Sequence, residues 1–234
     1  MSDGDAPASA GGPTGTTGEE DVRPPVRVLV VDDHEVLSGS LALVVGAEAD
    51  MEAVGVARDL AEARRQVVEH QPDVILLDRR LPDGDGIEAI GELRTLSPAS
   101  KVVVLTASDT DQVLVQAIEA GASGFLSKSR GLGEVIGAVR AAAAGEAVIS
   151  GEMLSRLLPK LTRSSGPTVE LTPREQDVLE LLAEGKSNAA IAADLFVSVH
   201  TVRNHVANLS AKLGAHSKLE ALSIAVRRGL LPDA

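Results

Sequence analysis

Short apolar runs alternate with amphipathic stretches along the first two-thirds of the chain. Five runs bounded by turn residues are typical of strands buried on both faces; they are residues 26–31, 52–57, 74–78, 101–106 and 124–127. Each is followed by a stretch of helical periodicity, and these stretches are 35–46, 60–69, 86–96, 110–120 and 132–144. Alternation of this kind predicts an α/β doubly wound five-stranded parallel sheet with helices on both faces.

The pattern changes after residue 150, where helical periodicity continues without strands. Residues 151–161 predict a short helix, and the Gly/Pro/Ser/Thr composition of 162–169 predicts a flexible linker. Thr172 as N-cap, Pro173 at the first helical position and Glu175 three residues after the cap predict the start of the next helix. The last third of the chain is therefore expected to be a small all-α domain.

These changes predict four regions. The Gly-, Pro- and acid-rich residues 1–25 have almost nothing to bury and are expected to be a disordered tail. Residues 26–145 form the sheet domain, 146–169 a linker with a short helix, and 170–234 the helical domain.

Composition limits the functional classes. The chain has no cysteine, which excludes disulfides, thiolate zinc sites and a cysteine nucleophile. No apolar run approaches the ~18 residues of a membrane span, and the N-terminus lacks a secretory pattern, so we expect a cytoplasmic protein without a membrane partner. The net charge of −12 is unevenly distributed, with −9 over residues 25–150 and zero over 171–234. Such asymmetry indicates that the two parts have different roles.

Polar side chains stand at the ends of four of the five predicted strands. They are Asp32, Asp33, Asp78, Thr106 and Lys128. The carboxyl ends of parallel strands meet at one edge of a sheet, where such folds bind ligands. Three close carboxylates repel one another, and Mg²⁺ with its oxygen ligands removes that repulsion. A carboxylate beside Mg²⁺, a lysine and a hydroxyl can attack phosphorus, which makes Asp78 a candidate nucleophile that forms an acyl phosphate.

Other interpretations of these residues remain open. Singly, Asp32 and Asp33 also fit a helix N-cap, Lys128 a surface lysine and Thr106 a strand-end cap. A haloacid-dehalogenase-like phosphatase has a similar set, but it needs a second acid two residues after the nucleophile, where this chain has Arg80. A dinucleotide-binding enzyme is disfavoured because no G-x-G-x-x-G follows the first strand.

The C-terminal third contains two helical segments joined by the three-residue turn FVS. On the second, Ser198 fits an N-cap and an apolar stripe recurs at helical spacing, at Val202, Val206, Leu209 and Leu213. A polar outer face on such a helix fits a helix-turn-helix whose second helix enters the major groove. The pattern alone also fits a solvated surface helix, and the neutral charge argues against tight unaided DNA binding.

The motifs of residues 26–145 resemble the receiver domain of two-component response regulators. They are DD after the first strand, DRRLPDGDG after the third, VVVLTA on the fourth and GFLSKS on the fifth. The resemblance implies a flavodoxin-like fold, with Asp78 as the phosphoacceptor, Lys128 and Thr106 binding phosphoryl oxygens, and Phe125 as an aromatic switch. It also implies a Mg²⁺ site; its protein ligands would be Asp33, Asp78 and the backbone carbonyl of Arg80, with Asp32 acting through water.

The segment that begins LTPREQDVLELLAEG is similar along its length to the LuxR-type DNA-binding domain. The resemblance implies base contacts from Arg203, Asn204 and the position of Ala207. It implies phosphate contacts from Thr201, Lys212, Ser217 and Asn188, and a dimer face on helix 218–228. Ala189 and Ala190 replace a frequent Lys-Glu, and Ala207 replaces a frequent basic residue, so we expect modest affinity that depends on dimerisation or on adjacent sites.

Together the two domains resemble a response regulator of the NarL/FixJ subfamily. The resemblance implies a transcriptional regulator that accepts phosphate from a sensor histidine kinase, forms a homodimer and binds double-stranded DNA. It implies no enzymatic activity beyond self-dephosphorylation. The alternative is a phosphorylation-independent DNA-binding dimer whose receiver domain is only structural.

Overall fold

The computed structural model describes residues 24–107, 110–128, 131–161 and 169–231. The predicted tail and flexible linker lie almost wholly outside the described residues. Five parallel strands form one sheet in the order β2-β1-β3-β6-β7; they are β1 (Val26–Val31), β2 (Met51–Ala57), β3 (Val74–Asp78), β6 (Lys101–Thr106) and β7 (Gly124–Ser127). The predicted doubly wound α/β sheet is confirmed, with a strand order of the flavodoxin type.

Helices cover both faces of the sheet; they are α1 (Glu35–Gly46), α2 (Leu60–His70), α3 (Gly86–Leu96), α4 (Asp111–Glu119) and α5 (Leu132–Ala143). Successive strand residues point to opposite faces. Leu29 and Val31 of β1 therefore join the core formed with α2, α3 and α4, whereas Val28 and Val30 join the core formed with α1 and α5. Burial on both faces explains why the strands are continuously apolar.

A short hairpin follows β3 and fixes the backbone at its end. It consists of β4 (Arg80–Leu81) and β5 (Gly84–Asp85), which the hydrophobic pattern does not predict. The hairpin brings Gly86 back against β3, where its N–H donates to the carbonyl of Arg79 at 2.7 Å. A Cβ atom on Gly86 would lie 2.1 Å from the carbonyl oxygen of Asp78, so only glycine fits this contact.

The segment after α5 covers the outer edge of β7. Val148 accepts a hydrogen bond from the N–H of Phe125 at 2.9 Å and donates one to the carbonyl of Ser123 at 3.1 Å. A Cβ atom on Gly124 would lie 2.2 Å from the Cβ atom of Val148. Glycine at this position is therefore what lets the returning chain pair with β7.

The described C-terminal part is helical, as predicted. It contains α6 (Gly151–Leu157) with a following 3₁₀ turn, α7 (Pro173–Ala183), α8 (Asn188–Asp194), α9 (Val199–Leu213) and α10 (Lys218–Arg227). Of the predicted stripe on α9, Val202, Leu209 and Leu213 are buried, and Val206 is partly buried.

The predicted capping box at the start of α7 is formed. The N–H of Glu175 donates to the hydroxyl of Thr172, and the carboxylate of Glu175 accepts from the N–H of Thr172 at 2.8 Å. The same carboxylate accepts from the ammonium group of Lys212 on α9 at 2.7 Å. Burial opposes ionisation of Glu175, but the hydrogen bonds from Lys212 and Thr172 outweigh it and hold the pKa of its carboxyl below the usual range.

We expect Glu175→Gln to lower the free energy of unfolding at pH 7 by roughly 0.5–1 kcal/mol, because the amide keeps the cap but loses the ion pair. Because the pKa of Glu175 is lowered in the folded state, its stabilising contribution is complete at pH values above the unfolded-state pKa of about 4.3. The contribution is lost as the pH falls through the folded-state pKa. Urea unfolding followed by circular dichroism at several pH values measures both effects. Glu69→Gln, at an exposed position on α2, is the control; an equal loss in both variants would contradict the prediction.

We expect Gly86→Ala to destabilise the protein by about 1–3 kcal/mol, because the methyl group meets the backbone of Asp78. Gly91→Ala on the same helix has open space around its Cβ. It is expected to stabilise by up to about 1 kcal/mol through helix propensity. Thermal unfolding of the two variants side by side gives the comparison, and equal melting temperatures would contradict it.

Candidate functional site

Three aspartates meet at the carboxyl edge of the sheet. Asp32 and Asp33 follow β1, and Asp78 ends β3, the neighbouring strand. Asp32 and Asp78 are buried, with 0% and 4% of their surface exposed, whereas Asp33 is exposed. One ligand atom from each lies within 4.8 Å of the others. Oxygen atoms at this spacing can surround one small divalent cation, whose bonds to oxygen are about 2.1 Å long.

Lys128 holds the two buried carboxylates together. Its ammonium group lies 2.7 Å from Asp32 Oδ2 and 2.7 Å from Asp78 Oδ2. Burial raises the pKa of Asp78 against the opposing pull of Lys128, while the two carboxylates raise the pKa of Lys128 against its own burial. With three carboxylates and one ammonium ion, the cluster keeps an excess of negative charge, which suits a divalent cation.

His34 is also part of this cluster. The sequence interpretation did not include it. Its ring Nδ1 lies 2.8 Å from Asp33 Oδ1 and 3.2 Å from Asp32 Oδ1. Its backbone N–H donates to Asp32 Oδ1 at 2.9 Å. The signal was present in the sequence, because the imidazole directly follows the two aspartates.

The other predicted receiver residues lie on β6, on β7 and in the hairpin after β3. Thr106 ends β6, the strand next to β3, and its carbonyl accepts from the N–H of Lys128 at 2.9 Å. Phe125 lies on β7 with its side chain packed in the core that faces α4. Arg80 lies in the hairpin after Asp78, and its backbone contributes a hydrogen bond to the Asp78 carboxylate.

The predicted DNA-contacting residues fall into an accessible and an inaccessible group. On α9, Arg203, Asn204, Ala207 and Lys212 are exposed, and Thr201 is partly exposed. Asn188 and Ser217 are buried against the sheet domain, with 1% and 6% of their surface exposed. The hydroxyl of Ser217 donates to the carbonyl of Ala122 at 2.9 Å.

Glu146, shortly after α5, forms hydrogen bonds with polar groups at the start of α8 and α10. Its carboxylate accepts from the N–H of Asn188 at 3.0 Å and from the ammonium group of Lys218 at 3.0 Å. The Lys218 ammonium also donates to the carbonyl of Lys186 at 3.2 Å. Only 5% of the Lys218 side chain is exposed, and this burial lowers its pKa.

Helix α10 contacts both its own domain and α4 of the sheet domain. Arg94 of α3 pairs with Glu220 of α10 at 3.3 Å, and both side chains are largely buried. Leu219 and Leu222, on the helix predicted to carry the dimer face, are buried within this one chain. In this arrangement helix α10 does not offer that face to a second copy.

Comparison with known proteins matches both parts of the chain to established families. Residues 28–140 match the response regulator receiver domain, and residues 169–225 match the luxR family of bacterial regulatory proteins.

Similar proteins carry both domains. The chain is 37% identical to the transcriptional regulatory protein LiaR of Bacillus subtilis (strain 168), over 88% of this chain and 99% of that protein. It is 38% identical to the DNA-binding transcriptional activator DevR/DosR of Mycobacterium tuberculosis, over 84% and 92%. Among solved structures, the receiver domain of the putative response regulator NarL from Mycobacterium tuberculosis matches with a TM-score of 0.51 at 33% identity, covering 53% of this chain and all of that one.

No helix within the described residues is both long and apolar enough to cross a membrane. The family is one of DNA-binding transcriptional regulators and not of conventional enzymes, which removes the phosphatase and dinucleotide-binding alternatives. The paired receiver and LuxR-type domains, matched along almost the whole length of full relatives, show that this chain belongs to the NarL/FixJ subfamily of response regulators, which are phosphorylation-dependent transcriptional regulators.

Proposed function

We propose that Asp78 of this regulator accepts a phosphoryl group from a sensor histidine kinase, and that phosphorylation changes dimerisation and DNA binding. The observation that carries the proposal is the buried Asp78 carboxylate, which lies beside Lys128 and two further aspartates at the sheet edge. The proposal includes the division into a receiver over residues 26–145, a linker over 146–169 and a DNA-binding domain over 170–234.

The donor set of the cluster fits Mg²⁺. Asp33 and Asp78 would bind it directly together with the backbone carbonyl of Arg80, and Asp32 would act through water. A hard cation takes oxygen ligands and keeps several waters, and the exposed Asp33 side of the cluster leaves room for those waters. When bound, Mg²⁺ neutralises charge on phosphoryl oxygens.

The protein residues have separable roles in phosphoryl transfer. An Asp78 oxygen forms the new bond to phosphorus as the bond from phosphorus to the kinase histidine breaks. The ammonium group of Lys128 lies 2.7 Å from the Asp78 carboxylate and can offset the charge on the transferred group. The Thr106 side chain, at the end of the adjoining strand, would hydrogen-bond a second phosphoryl oxygen.

DNA would compete with Glu146 and Ala122 for groups of the LuxR-type domain. Asn188 and Ser217 are proposed to bind DNA phosphates, yet here they contact Glu146 and Ala122 on the sheet side. We call this packing of the two domains the closed arrangement. DNA phosphates would replace the Glu146 carboxylate at Asn188 and the Ala122 carbonyl at Ser217, so DNA binding by these residues requires the domains to separate. Base contacts from Arg203, Asn204 and Ala207 would accompany them.

Helix α4 is suited to transmit the change from Asp78 to the closed interface. It follows β6, whose last residue is Thr106, and it contacts both α6 and α10. Asp111 at its start pairs with Arg156 at 3.0 Å and with Lys160. A shift of Thr106 and Phe125 on phosphorylation would displace α4 and favour an open state in which the two domains are apart. The released α10 would then be free to form the homodimer contact.

The closed interface also disfavours the alternative of a phosphorylation-independent DNA-binding dimer. Such a protein has no need to bury two candidate phosphate-binding residues and its candidate dimer helix against the receiver domain. Phosphorylation control gives that burial a function.

We expect the wild-type protein, incubated with acetyl phosphate and Mg²⁺, to gain the mass of one phosphoryl group, and Asp78→Asn to gain none. Intact-protein mass spectrometry makes the measurement. Asp83→Asn is the matched control, because that carboxylate caps α2 through the N–H groups of Leu60 and Ala61 and is not part of the cluster. Phosphorylation of Asp78→Asn, or none of the wild type, would contradict the proposal.

We expect Glu146→Gln to raise the DNA affinity of the unphosphorylated protein by about tenfold, which is typical of the coupling between two sites. The amide loses the ion pair with Lys218 and so weakens the closed state. Phosphate contacts carry no sequence information, so fluorescence anisotropy with a labelled mixed-sequence duplex is sufficient. Glu152→Gln, an exposed position on α6, should leave the affinity unchanged; an unchanged affinity of Glu146→Gln would contradict the competition.

A further inference from the structure

A cavity of about 300 Å³ lies between the receiver and LuxR-type domains. Its receiver side is formed by Lys101 at the start of β6, Ser123 and residues 142–146. Its other side is formed by α9 and residues 216–218. The volume falls at the lower end of the range of about 300–1,000 Å³ found for small-molecule sites.

Two cations in the cavity lining have no counter-ion within the part of the chain that the structure describes. Among the described residues, no carboxylate lies within ion-pair distance of Lys101 or Arg203, whereas Lys218 is already neutralised by Glu146. The Lys101 ammonium has one hydrogen bond, to the carbonyl of His216 at 3.5 Å. Burial lowers the pKa of Lys101, and the neighbouring Arg94 lowers it further. A partly buried cation such as Lys101 is costly without a counter-ion, and an anion in the cavity would reduce that cost.

The remaining lining is mixed in a way that favours an anion with an apolar body. Ala142, Ala143 and Val206 give the cavity an apolar wall, and Ser123 and Ser210 add hydroxyl groups. Ligand sites of this kind combine apolar walls with a few polar groups that fix orientation. Lys101 from one domain and Arg203 from the other supply the charge.

We propose that this interdomain cavity is a binding site for a small phosphate monoester of about the size of a nucleoside monophosphate. The phosphate would lie between Lys101 and Arg203, and the apolar wall would contact the rest of the ligand. The site is distinct from the Asp78 cluster, which is acidic and lies at the carboxyl ends of the strands, whereas Lys101 is at the opposite end of β6.

The position of the cavity gives the ligand a defined effect. Because its walls come from both domains, the ligand contacts both only when they are closed, and it therefore stabilises the closed state. Arg203 is also a candidate base-reading residue, so an occupied cavity and bound DNA exclude each other. The ligand would therefore have the opposite effect to phosphorylation, which is proposed to open the two domains. Its binding does not depend on the proposed DNA contacts.

Isothermal titration calorimetry of the full-length protein with AMP tests the proposal. Magnesium-free buffer keeps phosphate binding near Asp78 from contributing. We expect saturable binding to the wild type, and binding about ten- to a hundredfold weaker to Lys101→Gln, which loses one charge-assisted hydrogen bond. Arg65→Gln removes an exposed cation outside the cavity lining and should bind like the wild type.

Titrations with adenosine and with inorganic phosphate separate the two parts of the ligand. Adenosine should bind far more weakly than AMP, and inorganic phosphate should compete with AMP for the wild type. Absence of saturable AMP binding, equal binding of adenosine and AMP, or equal weakening in Lys101→Gln and Arg65→Gln would each overturn the proposal. Circular dichroism of the variants establishes that Lys101→Gln is folded, so that its loss of binding reports on the site.

Discussion

The contact of one ammonium group with two buried carboxylates is the interaction on which the receiver domain depends. Asp32 and Asp78 end neighbouring strands, and their like charges would destabilise this edge of the sheet without Lys128 between them. Lys128 itself is held by the pairing of β7 with β6. The position of Asp78, the proposed phosphoacceptor, therefore depends on β1, β3, β6 and β7 together, and a change of charge on Asp78 acts directly on Lys128 at the end of β7.

The interface between the two domains also pairs a buried cation with a carboxylate. There Glu146 neutralises the buried Lys218 and also accepts from the backbone of Asn188. The two charge clusters are physically connected, because Glu146 lies two residues before Val148, whose backbone pairs with β7 beside Phe125. Movement of β7 on phosphorylation would thus reach Glu146 through the backbone, in addition to the path through α4.

Local sequence patterns predicted the parts of the structure that depend on local chemistry. The continuous apolar runs gave the strands, and the position of Asp78 and Lys128 after such runs placed them at one sheet edge. The hairpin after β3 was not predicted, because its two-residue strands have no hydrophobic period. The burial of Asn188, Ser217 and Lys218 was also not predictable, because it results from contacts with residues such as Ala122 and Glu146 that are far apart in sequence.

The returning segment at Val148 limits strand addition at the outer edge of the sheet. An uncovered outer strand presents unpaired N–H and C=O groups, which can recruit a strand from another molecule. Here the backbone of Val148 pairs with the N–H of Phe125 and the carbonyl of Ser123, on the two sides of Gly124. Even when the domains separate, β7 does not become an open template at this point. A strand of a second copy therefore cannot pair with this part of β7, and growth of the sheet is blocked there.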